Sequence, residues 1–451
     1  MQLLFDRGTL LLRGDLEQAE NLPGVLWDPR VRAWRAPACR YVELAEALAR
    51  SCAGFRDEVR PRLRDAPRIA CPELRPYQAA AVAAWERAGH RGMIALPTGA
   101  GKTRAAVAAM ALTQLRTLIL VPTRVLMAQW LQTLGEAGLG PIGEYGDGRR
   151  IEQPITVATY ASAVRNVETL GNRFDLLVID EVHHFGSGAG DEAIEMCIAG
   201  ARLGLSATLP PEDDSRRVRL DALVGPEVYR ACVEELAGAY LAPFRLITIS
   251  LGLTPSERRA YDSELALFRP VCRSFFDAAP GAFWSDFISA AGRSDAGRRA
   301  IASWRRSRAI VRYHAEKRST VKDLLLRHGD ARVLVFAADN ETAYDVAREH
   351  LVQPITCDIG AKERKRALER FSEGELRILV SARVLNEGLD VPAADIAIVI
   401  GGSQGAREYI QRVGRVLRPA QGKTAIVYDL VTRGTFEVHR AGRHRRALAS
   451  G

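Results

Sequence analysis

Three short stretches of this chain carry side chains suited to handling a nucleoside triphosphate. In Leu96-Pro-Thr-Gly-Ala-Gly-Lys-Thr103 the glycines permit a tight turn whose backbone N–H groups close around phosphates, and the following helix adds the partial positive charge of its N-terminus. Thr98, Gly99 and Gly101 would shape that cradle, Lys102 would reach the β- and γ-phosphates, and the Thr103 hydroxyl would ligate Mg2+. Leu96 breaks the strict G-x-x-x-x-G-K-[ST] pattern at its first glycine, and Gly-Lys-Thr alone is also compatible with a plain strand-loop-helix connection. Asp180-Glu-Val-His-His184 supplies two carboxylates: Asp180 suits a hard cation, directly or through water, and Glu181 suits polarisation of an attacking water. Adjacent histidines on an extended strand end point to opposite faces and have no third ligand nearby, so His183 reads as a hydrogen-bonding link to the rest of the cleft rather than as a zinc ligand. Finally, Gln411-Arg-Val-Gly-Arg-Val-Leu-Arg418 sets Arg412, Arg415 and Arg418 about one helical turn apart, and guanidinium groups match phosphate oxygens in pairs. Arg415 and Arg418 would serve as arginine fingers on a γ-phosphate; standing alone, the segment reads rather as a basic helix face.

Smaller signals accompany these. Gln78, with Arg75 and Tyr77 beside it, offers a donor and an acceptor to an adenine edge, although Leu74-Arg-Pro-Tyr-Gln is also an ordinary helix start. Arg202-Leu-Gly-Leu-Ser-Ala-Thr-Leu ends a strand in the small hydroxyls Ser206 and Thr208. In Leu385-Asn-Glu-Gly-Leu-Asp-Val-Pro, Gly388 allows close backbone approach and Asp390 suits a hydroxyl or ribose.

The elements that must position these residues are legible as apolar runs. Thr117-Leu-Ile-Leu-Val, Ile155-Thr-Val-Ala-Thr and Phe174-Asp-Leu-Leu-Val-Ile-Asp are apolar on both faces and alternate with helix-like stretches, which predicts a parallel sheet covered on both sides. Ligand chemistry then belongs at the carboxyl ends of the strands, where Lys102 and Asp180 fall. Arg332-Val-Leu-Val-Phe-Ala, Leu376-Arg-Ile-Leu-Val-Ser, Ala394-Asp-Ile-Ala-Ile-Val-Ile and Lys423-Thr-Ala-Ile-Val-Tyr repeat the pattern without a second Gly-Lys-Thr. The expected architecture is α/β, with two parallel-sheet domains in tandem at 69–242 and 243–451, preceded by a small α+β domain at 1–68. Within the latter, Leu3 to Leu12 reads as two short strands joined at Asp6-Arg7-Gly8, Val25 to Trp34 as two more, and Tyr41 to Arg50 as a helix. Arg56 to Arg68 reads as a basic linker or a nucleic-acid contact. A helical insertion at about 264–318, opened by a Thr254-Pro-Ser-Glu capping box, is rich in aromatics and arginines. It is either core plus solvated face or an element gripping nucleic acid.

Composition narrows the class. With 47% hydrophobic and 26% charged residues the chain is expected to be globular. The absence of an apolar stretch near the ~18 residues of a membrane span argues against a membrane protein and for a cytoplasmic one. Seven cysteines, odd in number and never in C-x-x-C spacing, indicate neither a disulfide framework nor a zinc module. A formal charge of +9 favours a polyanionic partner.

Taken in order, the Gln78 segment, Thr98-Gly-Ala-Gly-Lys-Thr, Pro122-Thr-Arg, Asp180-Glu-Val-His, Ser206-Ala-Thr, Glu387-Gly-Leu-Asp and Gln411 to Arg418 resemble the motif series of superfamily 2 helicases over about residues 70–432. In that family the altered first position of the P-loop is normal. Asp-Glu-Val-His, Leu209-Pro-Pro-Glu-Asp-Asp and Leu223-Val-Gly-Pro-Glu-Val-Tyr look like the XPB branch in a compact prokaryotic form. The resemblance implies two RecA-like domains, an N-terminal domain like the damage-recognition domain, a thumb-like insertion, and ATP with Mg2+ bound between the domains. It also implies DNA as the partner, 3′ to 5′ movement, and work beside a nuclease in DNA repair. A coupling role for His183, Ser206, Thr208 and Gln411 follows from the same likeness. Pro211 stands where that branch carries an arginine before Glu212 and Asp213, which leaves double-strand translocation without strand separation as the alternative. A nucleic-acid-binding scaffold is the alternative from outside enzymology.

Overall fold

Strands that are apolar on both faces can exist only where helices cover both sides, and the structure is built on this requirement twice. The computed structural model describes residues 1–14, 22–51, 54–61, 67–382, 394–401, 405–416 and 424–450. They divide into two compact units, 1–235 and 236–450.

In the first unit an eight-stranded sheet runs Glu227–Arg230, Arg91–Ala95, Ala201–Ser206, Leu176–Asp180, Thr117–Val121, Ile155–Thr159, Ile142–Gly146, Arg149–Ile151. Its pairings are parallel except for the last, a hairpin at the edge. The four strands Thr117–Val121, Ile155–Thr159, Leu176–Asp180 and Ala201–Ser206 are buried along their whole length. Register brings Ser206 opposite Ala95 and Asp180 opposite Leu205, so the chain leaves three adjacent strands at one edge. That edge is where a doubly covered parallel sheet presents ligand-binding groups.

The N-terminal segment forms a five-stranded sheet against the helix Tyr41–Ser51. Its first hairpin, Gln2–Asp6 with Thr9–Arg13, turns through Arg7 (φ 49°) and Gly8 (φ 85°), the left-handed pair that matches strand twist. One expectation is corrected here. Arg56–Glu58 is a strand, paired in parallel with Gln2–Asp6, rather than the start of a linker; residues 62–66 lie outside the described residues. This edge strand is exposed along its length and so lacks the apolar pattern that marks a strand in sequence. Ile198 completes the buried core of this sheet, Asn172 donates to the Val59 carbonyl, and Arg60 pairs with Asp175 at 2.8 Å. The module is therefore continuous with the first large sheet.

The second unit is a six-stranded sheet in the order Phe244–Leu251, Ala425–Thr432, Ile396–Val399, Val333–Phe336, Ile378–Ser381, Gln353–Ile355, paired in parallel among the described residues. Thr254 and Glu257 form the expected capping box, each side chain accepting from the other's backbone N–H. The helix opened by that box runs on into the expected insertion, which comprises Pro255–Ala278, Trp284–Ala291 and Asp295–Arg312. A further helix, Phe436–Ser450, follows the last strand.

A buried ion pair ties these pieces together. The Lys317 ammonium, fully buried, donates to the Val311 and Ile400 carbonyls and to both oxygens of Glu437 at 2.8–3.0 Å. Glu437 in turn accepts from the Thr432 N–H and hydroxyl and from Arg440. Burial alone pushes the Lys317 ammonium toward neutrality, and Glu437 opposes that push. Removing one partner of such a pair leaves an uncompensated charge. Lys317→Met is expected to destabilise the second unit by about 3–5 kcal/mol, read from a urea titration followed by circular dichroism.

Candidate active site

The P-loop departs from the strict pattern at Leu96 because that residue still belongs to the sheet. Its side chain is buried and its N–H donates to the Ser206 carbonyl at 2.9 Å, so no left-handed backbone is needed there. Positive φ is confined to Gly99 (86°) and Gly101 (78°), where the chain turns into the helix Lys102–Thr113. A Cβ on Gly101 would collide with the Gln78 amide. The loop is shaped from both sides.

Gln78 is buried in that contact. Its Nε2 donates to the Ala100 carbonyl at 2.8 Å and its Oε1 accepts from the Arg75 N–H at 3.0 Å, while the Tyr77 hydroxyl donates to the same Ala100 carbonyl at 2.6 Å. Arg75 also reaches the Tyr77 hydroxyl. Its Nε2 also approaches the Gly101 carbonyl at 3.4 Å, so the amide donors are turned to the loop backbone and the second acceptor site of Oε1 is what remains for a base edge. The segment thus connects any base it holds to the phosphate loop.

Asp180 and Glu181 follow the buried strand directly. Glu181 sits in the left-handed region (φ 53°, ψ 48°), an uncommon conformation for a residue with a side chain and one that concentrates at functional sites. Its Oε1 lies 3.5 Å from the Lys102 ammonium, and its Oε2 is buried without a hydrogen-bond partner. Asp180 accepts from the Glu181 N–H at 3.0 Å and from the Trp130 indole N–H at 2.9 Å. Burial, and then the neighbouring Glu181 charge, raise the Asp180 carboxyl to about 6; Lys102 and the Trp130 hydrogen bond pull the other way. The Tyr160 hydroxyl donates to the Asp180 carbonyl and, at 3.2 Å, to that of Glu181, fixing the backbone of both.

His183 Nδ1 lies 2.8 Å from Ser206 Oγ, which donates to the Thr208 carbonyl and accepts the Thr208 N–H. His183, Ser206 and Thr208 are therefore joined in one buried network, with His183 Nδ1 also 3.3 Å from Glu181. Thr98 and Thr103 are half-buried at the mouth of the loop.

The structure thus brings Arg75, Gln78, Thr98, Gly99, Gly101, Lys102, Thr103, Asp180, Glu181, His183, Ser206 and Thr208 onto one edge of the first unit. Gly388, Asp390 and Arg418 lie outside the described residues. Gln411 and Arg415 fall on the helix Ala406–Val416 of the second unit. Arg412 on that helix is buried within its own unit, donating to the Gly401 and Ala382 carbonyls over the Phe336 ring. That corrects its reading as a phosphate ligand. Trp130 and Tyr160 join the site without a motif to mark them; the available signal is a Trp in the helix Arg124–Glu136, since a buried indole N–H must find an acceptor.

These groups fit a triphosphate with a divalent cation. The cradle excludes a side chain, Lys102 faces it, and Glu181 Oε2, 3.3 Å from His183 Nδ1, makes no hydrogen bond with a described residue. Among the described residues no three His, Cys, Asp or Glu side chains converge on a point. Mg2+ at Asp180 and Thr103 would complete its shell with water and phosphate oxygens, as that ion usually does.

Comparisons with known proteins agree in kind. Residues 3–59 match the xeroderma pigmentosum group B helicase damage recognition domain, 72–211 the type III restriction enzyme res subunit, and 316–420 the helicase conserved C-terminal domain. The chain is 35% identical over 434 residues to the DNA 3′-5′ translocase XPB2 of Sulfurisphaera tokodaii, covering 94% of this chain and 96% of that protein. It is 31% identical over 392 residues to the DNA 3′-5′ helicase XPB of Mycobacterium tuberculosis, covering 84% of this chain and 64% of that protein. The crystal structure of the Pyrococcus furiosus Hef helicase domain shares the fold, with a TM-score of 0.51 at 18% identity over 82% of this chain and 98% of that one.

Trp130→Phe removes the donor to Asp180 while keeping an aromatic ring in place. Groups that orient a metal-binding carboxylate are worth about 10- to 100-fold in metal affinity. The Mg2+ concentration for half-maximal nucleotide turnover should rise by that order, with nucleotide binding in EDTA unchanged.

Proposed function

The chain belongs to the XPB family of helicases, and from that membership we propose an ATP-dependent 3′-5′ DNA helicase or translocase working in DNA repair. The observation that carries the reading is the Lys102–Glu181 pair, set between the glycine cradle and Asp180. A γ-phosphate is a stronger partner for Lys102 than a carboxylate 3.5 Å away, because it offers more charge and more acceptor oxygens. Drawing Lys102 onto phosphate frees Glu181 to accept a proton from, and so orient, the attacking water.

In this reading Lys102 and Thr103 hold the β- and γ-phosphates and Mg2+, Asp180 holds the same ion, and Glu181 activates water. Thr98, Gly99 and Gly101 cradle the phosphates, and Arg75 and Gln78 hold the base. Gly388 and Asp390 approach the nucleotide, and Arg415 and Arg418 supply positive charge to the departing phosphoryl group from the second unit. His183, bonded to Ser206 and through it to Thr208, relays the state of the γ-phosphate away from Glu181, with Gln411 as a further member. Binding and release of ATP would then change the grip on a strand. DNA is the substrate by family likeness, and a nuclease working on the same DNA is the partner that likeness implies. Among the described residues, no helix is long and apolar enough to cross a membrane.

Pro211 favours a second reading, in which the motor tracks duplex without separating it. Glu212 and Asp213 are exposed beside it, without the arginine that resembles a strand-parting element elsewhere in the branch.

Glu181→Gln should abolish DNA-stimulated ATP turnover and leave ATP binding largely intact, as measured by phosphate release and by equilibrium binding of labelled ATP. Undiminished turnover would sink the assignment. Arg418→Ala should lose turnover in the same way. On a forked duplex, ATP-dependent release of one strand supports the helicase reading, whereas turnover without release supports duplex translocation.

A further inference from the structure

The second unit contains a cleft that none of the candidate nucleotide residues lines. It opens between the helical insertion and the terminal helix Phe436–Ser450, holds about 580 Å³, and is walled by Trp284, Trp304, Arg308, Phe436, Arg440 and Arg443. Its volume is that of a pocket for a small molecule or one nucleotide. Smaller recesses that share Trp304, Arg308 and Phe436 extend it along the same groove.

The aromatic wall is anchored from below. Phe287, almost fully buried, packs against Phe268, Phe275, Phe276 and Trp284, and Trp284 lies 5.1 Å from Trp304. Trp284 nevertheless remains 41% exposed. The insertion's core therefore ends in a rigid indole surface open to solvent.

The charge around it is unbalanced. The carboxylates along the groove are already engaged, Glu437 by Lys317, Thr432 and Arg440 and Asp339 by Arg312. Arg308 is half-buried, with its guanidinium 3.9 Å from the Phe436 ring centre and 5.1 Å from that of Trp304, and makes no ion pair or hydrogen bond with a described residue. Burial depresses its basicity and repulsion from Arg440 adds to this, with Glu437 and Tyr261 opposing in part. Arg443, one turn beyond Arg440 on the same helix, is exposed and likewise has no acidic partner among the described residues. A half-buried cation facing other cations is a costly arrangement unless an anion is to be bound.

We propose that this cleft is an accessory site for single-stranded nucleic acid, in which an unpaired base stacks on Trp284 and Trp304 while its flanking phosphates are held by Arg308 and Arg443. A base offers a π-face and a phosphate offers paired acceptor oxygens; the cleft presents a partner for each. Paired bases hide their faces, so duplex satisfies the arginines and not the indoles. An acidic peptide does the same. The inference rests on the nucleic-acid reading above and adds to it a second point of contact, away from the ATP-handling residues.

The test uses the full chain, without ATP, and a fluorescein-labelled oligothymidylate followed by anisotropy over a salt series. Arg443→Glu should weaken binding at least tenfold and flatten the slope of log affinity against log salt by about 0.7 for each phosphate that is no longer neutralised. Arg443→Lys should recover part of the affinity. Trp284→Ala should weaken binding by about 5- to 160-fold, the span of base–aromatic stacking, and should leave binding to an abasic strand or a blunt duplex unchanged. Both side chains are exposed, and circular dichroism melts would verify that the variants fold. Equal affinity and slope in wild type and variants overturns the site. So does a weakening that Arg443→Glu shows equally toward polyglutamate while Trp284→Ala changes nothing, which would mark an acidic-protein surface instead. DNA stimulation of ATP turnover, measured separately on the wild type, tells failure of this site from failure of the helicase reading.

Discussion

Two adjacent carboxylates at the end of a buried strand are the constraint to which the rest of the first unit answers. Asp180 and Glu181 lie in poorly hydrated surroundings, and burial first, then repulsion between the two, raises the Asp180 carboxyl to about 6. The fold compensates from three directions. Lys102 brings a cation from the P-loop helix, Trp130 brings an indole N–H from the helix after the neighbouring strand, and Tyr160 pins the backbone carbonyls. Each donor comes from the element after a different strand of one parallel sheet, so compensation at this point requires the whole sheet edge to be in register. The compensation is incomplete, since Glu181 Oε2 has no hydrogen-bond partner.

How much of this is legible in sequence depends on whether a residue's role is local. The sheet strands are legible because doubly buried strands are apolar without interruption, and the P-loop because only glycine tolerates φ of 86° and 78° in such a turn. Leu96 looks like a defect in sequence and is a continuation of the strand in space. Trp130 and Tyr160 are illegible as site residues because their partners lie 50 and 20 residues away and nothing in their own neighbourhoods announces a carboxylate. The strand Arg56–Glu58 escapes notice for the opposite reason: it pairs through its backbone, and its three residues are polar and exposed.

The terminal helix shows the same limit more sharply. Phe436 to Ser450 is so rich in arginine and histidine that a hydrophobic pattern assigns most of it to solvent. Yet Arg440 and His444 are buried, the first beside Glu437 and the second stacked 4.3 Å from Tyr409. Charge on a helix says nothing about burial until the compensating group is known, and here that group, Glu437, is itself committed to Lys317, 120 residues earlier.

Compensation is therefore a better guide to an arginine's role than its exposure or its spacing. Arg412 belongs to a motif expected to face phosphate, but its guanidinium is satisfied by two backbone carbonyls, and it serves to fasten its helix to the ends of two strands. Arg202 is similar: buried, it donates to the carbonyls of Ala199, Leu223 and Cys197 and acts as internal scaffolding. Arg308 lies in a segment that reads as core plus solvated face and Arg443 on the terminal helix, yet neither has an ion-pair partner among the described residues, and Arg308 is held against two aromatic rings beside another cation. A fold that satisfies Arg202, Arg412 and Arg440 so fully has the means to satisfy Arg308 as well. Leaving it beside an open indole surface, with the adjacent carboxylate already engaged, is what separates a ligand-seeking guanidinium from a structural one.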